Sequence, residues 1–296
     1  MTAMTRLRNW VSAVTFAASL LARCDGSSAI AQERQDLTFP CSAAAIARGT
    51  VSRVIDGRTF VLDDGREVRL AGVEVPPLPL LDEAAAAPGG AAAKDALAAL
   101  AGGDDVVLRR AEALSDRYGR VVAYAYVERD GDELFVQGEL IGAGFARVGD
   151  RVGSRACAME LLRREKAARQ AKLGLWANSY YQVLNAETPA DVLAHQGRFV
   201  LVEGNVVSVR ESGSTIYVNF GRRWTEDFTV TISKRNQRNF AAAGLDVNGL
   251  AGRRVRVRGW IEERGGTAGG TGGGSAAGSP RIEADHPEQI EAADRD

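Results

Sequence analysis

Three short segments of the sequence each place an arginine among acidic, aromatic and glycine residues. The segments are residues 54–62 (VIDGRTFVL), 69–76 (RLAGVEVP) and 116–120 (DRYGR). Their arginines are Arg58, Arg69 and Arg120. A guanidinium group is planar and permanently charged, and its N–H donors form a fork that matches phosphate oxygens. These residues could therefore hold a phosphate group, provided that the fold brings the three segments together.

In this order, the three segments resemble the motifs of the thermonuclease (staphylococcal-nuclease-like) family. The family motifs read D-G-D-T, R-L-x-x-x-D-x-P-E and D-x-Y-G-R, and the resemblance covers about residues 49–176. Family members cut phosphodiester bonds with one Ca²⁺, a carboxylate that positions or activates water, and two arginines. The resemblance implies that Arg69 and Arg120 are the catalytic, phosphate-binding arginines. It also implies that Tyr118 lies near the nucleotide.

The acidic positions of these motifs are altered. Arg58 stands where the family has a metal-binding Asp, and Glu74 replaces the second metal-binding Asp with a side chain one methylene longer. Pro77 stands where the family has its general-base Glu, and proline can neither accept a proton nor order a water. The loss of a positioned base costs roughly 10²–10⁴-fold in rate. A degenerate site would need no cofactor, whereas an active one would use Ca²⁺ with Glu74 as a ligand.

Arg58 has two interpretations, and the sequence leaves both open. Beside Arg69 and Arg120 it would complete a pocket of three guanidinium groups that holds phosphate or sulfate without a metal. Alternatively, Arg58 pairs with Glu74 or Asp56 and neutralises the former metal site. The predicted phosphate- and nucleotide-binding set is thus Arg58, Arg69, Tyr118 and Arg120.

The pattern of apolar residues predicts a mainly β fold with α (α+β). Residues 41–177 should form a five-stranded OB-type barrel with three helices, including a short helix at 134–141. A linker is expected at 178–195 and a second, small OB-like β domain at 196–290. The Gly-rich run at 265–279 should be a flexible loop of that second domain.

The N-terminus carries the pattern of an export signal. Arg6 and Arg8 precede an apolar run that is short for a membrane span, and small residues lead up to Ala31. Residues 1–31 are therefore predicted to be a cleaved signal peptide, which places the protein in the periplasm or outside the cell. A lipoprotein signal at Cys24 and an uncleaved anchor are the alternatives. No stable membrane span is expected in the mature chain.

Two cysteines, Cys41 and Cys157, would remain after cleavage of the signal. An even number of cysteines in an oxidising compartment favours a disulfide. Two buried free thiols are the alternative.

The second domain alternates cations with aromatic side chains in two stretches. The predicted surface residues are Arg222, Arg223, Trp224, Arg256, Arg258 and Trp260. OB-like barrels bind single strands by stacking bases on rings and following phosphates with arginines. Alternatively, the alternating arginines are only the solvated face of a strand.

The formal net charge of −1 gives no overall attraction to nucleic acid, so any binding must come from local patches. The first hypothesis is an exported protein with a degenerate nuclease site that binds single-stranded nucleic acid or another phosphate-bearing ligand through Arg69 and Arg120. The alternatives are an active metal-dependent nuclease on DNA or RNA with a rebuilt site, and an envelope interaction module.

Overall fold

The strands of this protein fall into two groups, each with its own cluster of buried apolar side chains. A computed structural model describes residues 41, 44–79, 87–129, 131–264 and 278–293. All of them belong to one compact unit, residues 39–296. The predicted signal peptide lies outside the described residues, as does nearly all of the predicted Gly-rich loop. No helix in the described ranges is both long and apolar enough to cross a bilayer.

The first group contains eight strands and three helices. The strands are β1 Ala45–Asp56, β2 Thr59–Leu62, β3 Glu67–Leu70, β4 Val73–Glu74, β5 Asp105–Ser115, β6 Val121–Arg129, β7 Asp132–Phe135 and β8 Arg147–Val148, and the helices are α1 Gly90–Ala101, α2 Val136–Gly142 and α3 Arg155–Gln170. Six strands form a sheet in the order β3-β2-β1-β5-β6-β7, and β4 pairs with β8. Because β3 also pairs in parallel with β6, the five strands β3, β2, β1, β5 and β6 close into a ring.

The second group contains nine strands and two short helices. The strands are β9 Leu184–Asn185, β10 Phe199–Asn205, β11 Ser208–Ser212, β12 Thr215–Asn219, β13 Thr229–Ser233, β14 Arg254–Trp260, β15 Glu262–Arg264, β16 Ser279–Glu283 and β17 Ile290–Ala292, and the helices are α4 Pro189–Leu193 and α5 Gln237–Ala242. They form one sheet in the order β17-β14-β10-β9 and another in the order β11-β12-β13-β16-β15. The predicted class, mainly β with α, is confirmed, and the OB type of either group stays a prediction.

Two segments differ from the sequence-based expectations. The expected linker contains β9 and α4, because Leu184 and Val192 are buried in the second apolar cluster. The first two residues of the helix expected at 134–141 belong instead to β7. Phe135 pairs there with Tyr126 of β6, and the two rings stack with centroids 5.0 Å apart.

A disulfide joins the start of the described chain to α3. It links Cys41 to Cys157, across a sequence separation of 116 residues. A cross-link of this span restricts the unfolded chain, and the chain-entropy model assigns it on the order of 4–5 kcal/mol of stability. The N-terminal lead is therefore held against the helix that packs between the two groups of strands.

The two groups meet at a buried ion pair between Arg258 of β14 and Glu165 of α3. Arg258 is 1% exposed and donates from Nη1 and Nη2 to the two carboxylate oxygens of Glu165, at 3.0 and 2.8 Å. Nη2 also donates to Glu291 of β17, at 3.1 Å. Glu165 in addition accepts the backbone N–H of Val148 at 2.7 Å. The charges of Arg258, Glu165 and Glu291 are thus paired with one another, which is what makes the burial of this cluster tolerable.

We expect Arg258→Met to destabilise the protein by about 3–5 kcal/mol, because Glu165 would stay buried without its main counter-charge. Urea unfolding followed by circular dichroism measures the change in the free energy of unfolding. Arg254→Met is the matched control on the same strand, since Arg254 pairs with Glu203 at the surface, at 2.8 Å. The control should lose less than about 1 kcal/mol. Equal losses in the two variants would contradict the assignment.

The turn between β1 and β2 packs directly on helix α1. A Cβ atom at Gly57 would lie 2.6 Å from the Cβ of Ala93. We therefore expect Gly57→Ala to lower the free energy of unfolding by about 1–3 kcal/mol through overpacking. Gly142→Ala, where a new Cβ meets no atom within 4 Å, should be neutral or stabilising by up to about 1 kcal/mol. A tolerated Gly57→Ala in thermal or urea unfolding would show that this contact can relax.

Candidate functional site

Arg58 is held in the two-residue turn between β1 and β2. Asp56 and Thr59 pair across this turn, and the side chain of Asp56 accepts the backbone N–H of Arg58 at 2.8 Å. The carbonyl of Arg58 accepts the N–H of Leu70 at 2.8 Å, which ties the turn to β3. The guanidinium group of Arg58 then bonds to the carboxylate of Glu74. Of the two interpretations of Arg58, the ion pair with Glu74 is present in the structure.

Arg69 lies on β3, a strand of the ring that is paired on both sides. It pairs with Thr59 of β2 on one side and with Val122 of β6 on the other. Its strand neighbours Val68 and Leu70 are buried in the first apolar cluster, so the side chain of Arg69 points to the other face. Among the described residues, the guanidinium group of Arg69 has neither a hydrogen bond nor an ion pair. Burial and the charges of Arg58 and Arg120 lower the pKa of Arg69 from its usual value.

Arg120 is fixed by the loop that precedes β6. Asp116 organises this loop, because one carboxylate oxygen accepts the backbone N–H groups of Tyr118 and Arg120, at 2.9 and 3.1 Å. The other oxygen accepts Nε and Nη2 of Arg120, both at 2.7 Å. Arg120 is therefore oriented by two hydrogen bonds to one carboxylate oxygen of Asp116, whereas the guanidinium group of Arg69 has no such partner among the described residues.

Tyr118 presents an exposed ring at the edge of the site. It is 67% exposed, and the guanidinium carbons of Arg117 and Arg120 lie 4.8 and 5.2 Å from its ring centroid. Arg117 also donates from Nη2 to the Tyr118 hydroxyl at 2.6 Å. An aromatic ring with two cations beside it suits a ligand that combines a flat ring with negative charge.

These side chains line one open cavity of about 560 Å³. Its walls are formed by Arg58, Arg69, Asp116, Arg117, Tyr118 and Arg120. Four of the six are cations and one is an anion. All four residues that were predicted to bind phosphate or nucleotide, Arg58, Arg69, Tyr118 and Arg120, are thus brought together. The cavity is a concave, positively charged surface of the kind that binds anions.

Glu74 lies beside the cavity but does not line it. Its strand β4 pairs with β8, which places Glu74 opposite Arg147. Burial raises the pKa of Glu74, although the charges of Arg58, Arg147 and Arg69 act in the opposite direction. Arg147 is itself buried, donates to the carbonyl of Phe199 at 2.9 Å, and lies over the ring of Tyr181. The carboxylate of Glu74, where the resemblance predicted a metal ligand, is therefore surrounded by cations.

The residues at this site do not fit a resident Ca²⁺. Calcium requires several oxygen ligands. The carboxylate of Glu74, however, accepts from the guanidinium group of Arg58, and the carboxylate of Asp56 accepts the backbone N–H of Arg58. Within the part of the chain that the structure describes, no group of three or more His, Cys, Asp or Glu side chains is placed to hold a metal ion. At the general-base position, Pro77 is exposed and offers no acidic group.

In the second group of strands, the surface prediction is wrong for Arg256 and Arg258. Both are buried, because β14 lies between β10 and β17 and the charges of its arginines are paired with Glu203, Glu165 and Glu291. They form neither a ligand surface nor a solvated strand face. The sequence could not reveal these partners, since Glu165 is 93 residues away from Arg258.

The remaining predicted surface residues of the second group are exposed, and only two of them, Arg222 and Trp224, share a cavity among the described residues. Arg222 and Trp224 line a cavity of about 830 Å³. Arg223 pairs with Glu226 at 2.7 Å. Trp260 packs edge-on against Phe199, with ring centroids 5.9 Å apart.

Sequence reasoning missed several residues that the structure places at these sites. Arg117 joins the first cavity, and its position within the third motif was a usable signal. Arg147 carried no signal, because its role follows from the pairing of two short strands. Tyr217 and Arg264, which line the second cavity, come from strands separated by more than forty residues of sequence.

Comparison with known proteins supports the motif-based prediction over part of the chain. Residues 67–178 match the family model described as staphylococcal nuclease homologue. This segment contains Arg69, Glu74, Tyr118 and Arg120, whereas the turn with Arg58 precedes it. No curated protein matches the chain. Residues 67–178 are accordingly similar to staphylococcal nuclease homologues, the family that the three motifs predict.

Proposed function

We propose that this protein binds single-stranded nucleic acid, or another phosphate-bearing ligand, in the cavity around Arg69 and Arg120 without hydrolysing it. The observation that carries the proposal is the state of Arg69. Its guanidinium group has no ion pair within the described residues, and its pKa is lowered by burial and by the neighbouring Arg58 and Arg120. Binding of an anion would relieve this repulsion and supply the missing hydrogen-bond acceptors.

The geometry favours a phosphate bound by two arginines, one held in place by a carboxylate and one without a partner among the described residues. Arg120 is held rigid by Asp116, so little side-chain entropy is lost when it meets a ligand. Arg69 lies on β3, which is paired on both sides, and its guanidinium donors have no acceptor among the described residues. Arg117 and the exposed ring of Tyr118 extend the cavity toward the base of a nucleotide. Charge-assisted hydrogen bonds to phosphate oxygens are about twice as strong as neutral ones.

Hydrolysis, in contrast, has lost the groups on which it depends in the family. Pro77 cannot act as a base, and Asp82 and Glu83, the nearest acidic residues of the following segment, lie outside the described residues. Arg58 adds a positive charge where the family has a metal-binding Asp, and it bonds to Glu74. The proposed site therefore holds a phosphate without activating water toward it, and it needs no cofactor.

Two further features belong to the same proposal. The ring closed by β3 and β6 supports an OB-type barrel for the first group of strands. The disulfide between Cys41 and Cys157 supports export to an oxidising compartment, where a protein with the export signal of residues 1–31 would meet nucleic acid from outside the cell. The periplasm and the extracellular space fit this proposal equally.

We expect the purified mature protein to bind a fluorescent single-stranded oligonucleotide in a salt-dependent way, and Arg69→Ala to weaken the binding roughly 10- to 150-fold. This range corresponds to the loss of charge-assisted hydrogen bonds worth about 1.5–3 kcal/mol. Anisotropy titrations over a series of salt concentrations measure the effect, and the salt slope should fall by about 0.7 for a lost phosphate contact. Arg53→Ala, which removes an exposed cation of β1 outside the cavity, should change the affinity only slightly.

The same oligonucleotides, quenched at one end, test the absence of cleavage. Wild-type protein with Ca²⁺, Mg²⁺ or EDTA should give no increase in fluorescence. Metal-dependent cleavage that disappears in the Arg69→Ala/Arg120→Ala variant would refute the binding-only proposal and establish a rebuilt nuclease site. Affinity that is equal in wild type, Arg69→Ala and Arg53→Ala would refute the cavity as the binding site.

The altered acidic positions themselves can be tested by restoring the family residues. We expect Arg58→Asp/Pro77→Glu to gain a Ca²⁺-dependent rise in melting temperature, because Glu74 is released from its cation and two carboxylates are added. Ligand at about 100 times its dissociation constant would stabilise the fold by about 2.7 kcal/mol. Arg53→Asp, which makes the same Arg-to-Asp change at an exposed site of β1, should gain nothing. No calcium response in the restored variant would show that positions 58 and 77 are not what excludes the metal.

A further inference from the structure

The cavity lined by Arg58, Arg69, Arg117 and Arg120 is called the arginine cavity below. A second cavity, distinct from it, opens on the sheet that contains β11 and β12. Its volume is about 830 Å³, and we call it the aromatic-basic cavity after Arg210, Tyr217, Arg222, Trp224 and Arg264, which line it together with small polar residues. Pockets of several hundred Å³ are typical of ligand sites. Nothing in the proposed function uses this surface.

The strand register determines which side chains line the aromatic-basic cavity. Arg210 of β11 lies opposite Tyr217 of β12, and Ser208 lies opposite Asn219. The intervening residues of β12, Ile216 and Val218, are buried in the second apolar cluster. Since side chains alternate along a strand, the polar and aromatic residues share the outer face of the sheet.

The turn after β12 holds Trp224 over this face. Asp227 accepts the backbone N–H of Arg223 at 2.6 Å, and the N–H of Asp227 donates to the carbonyl of Arg223 at 2.8 Å. A Cβ atom at Gly221 would lie 2.0 Å from the Asp227 carboxylate, so only glycine permits this close turn. These contacts fix the conformation of the turn, and Trp224 at its tip remains 58% exposed.

Arg264 lies between the two aromatic side chains of the cavity. Its guanidinium carbon is 4.8 Å from the ring centroid of Trp224 and 5.7 Å from that of Tyr217. These contacts orient the guanidinium group without using its hydrogen-bond donors. Within the described residues, the guanidinium groups of Arg210, Arg222 and Arg264 have neither a hydrogen-bond acceptor nor an ion-pair partner.

The charge of the cavity is therefore positive and uncompensated. Its single acidic residue, Glu211, is paired with Lys234 at 2.9 Å. A ligand that complements this surface must carry several negative charges and at least one flat ring that can stack on Trp224 or on the guanidinium plane. Single-stranded nucleic acid has both, with its bases free to stack, whereas the base faces of a duplex are covered by their neighbours.

We propose that the aromatic-basic cavity is a second binding site for single-stranded nucleic acid. Trp224 and Arg264 stack with a base, and Arg210 and Arg222 contact the flanking phosphates. This inference goes beyond the proposed function, because it concerns a separate surface and holds whether or not the arginine cavity around Arg69 binds a ligand. The two sites on one chain would give a longer footprint on the strand than either alone.

The test is a titration of the full mature chain with oligo(dT) of about 12 nucleotides, a length within the footprint of such surfaces. Trp224→Ala should lower the affinity roughly 5- to 150-fold, the range for loss of one stacked base. Arg264→Ala should lower it as well, whereas Trp224→Phe should retain most of the affinity. An oligomer of the same length without bases should bind equally to wild type and Trp224→Ala, since it offers nothing to stack.

Matched controls separate stacking from general effects. Trp260→Ala removes another exposed tryptophan that does not line the cavity, and Arg238→Ala removes an exposed cation of α5. Both should leave the affinity nearly unchanged. Thermal unfolding of each variant checks the fold, and if Trp224→Ala fails to fold, Arg222→Ala and Arg264→Ala carry the test.

The outcomes distinguish this proposal from the proposed function. Loss of affinity in Trp224→Ala with an unaffected Arg69→Ala would support the second site and refute the first, and the reverse result would refute the second. Equal affinity of wild type and Trp224→Ala for oligo(dT) would overturn the proposal. The proposal would also be overturned if Trp224→Ala lowered the affinity for the base-free oligomer, or for duplex DNA, as much as the affinity for oligo(dT). The surface would then be only a general anion-binding patch.

Discussion

The buried ion pair between Arg258 and Glu165 is the interaction on which the arrangement of the two groups of strands depends. Neither charge can reach water, so each is stable in place only while the other is present. Glu165 also binds the backbone of Val148, which follows Arg147 in β8. The pair therefore fixes α3, β8 and β14 relative to one another, and a sheet of the second group becomes part of the support for the first cavity.

This support reaches the candidate site through Arg147. Its guanidinium group bonds to the backbone of Phe199 in β10, and its strand pairs with the strand that holds Glu74. Glu74 in turn binds Arg58, which borders the cavity. The strand pairing of Arg147 with Glu74 and the ion pair of Glu74 with Arg58 thus link the second group of strands to the edge of the arginine cavity. These contacts position Arg58, whereas the guanidinium group of Arg69 has no ion pair among the described residues.

The sequence could predict the site better than its surroundings. Arg69, Tyr118 and Arg120 lie in short motifs whose local geometry is set by a turn and a strand, and the structure brings them into one cavity. The arginines of β14 look like an exposed stripe, because their alternation with Val255 and Val257 is the same in a solvated strand and in a buried one. What separates the two is a set of glutamates distant in sequence, and no local pattern encodes that pairing. For the same reason, β9 and α4 resembled a linker.

Arg58 reverses the sign of the charge at a position where the family motif has an Asp. Replacing an Asp of the family motif by Arg shifts the local charge by two units, from a surface that attracts a metal cation to one that repels it. Glu74 alone does not offset the three arginines at positions 58, 69 and 147 that act on its charge. A phosphate group can bind directly to this excess of positive charge. A site that holds phosphate through a metal ion would not bind it in the same place. In the proposed function, the substitutions that remove the hydrolytic groups would therefore also strengthen the attraction for the ligand, so that loss of cleavage and gain of binding would have one physical cause.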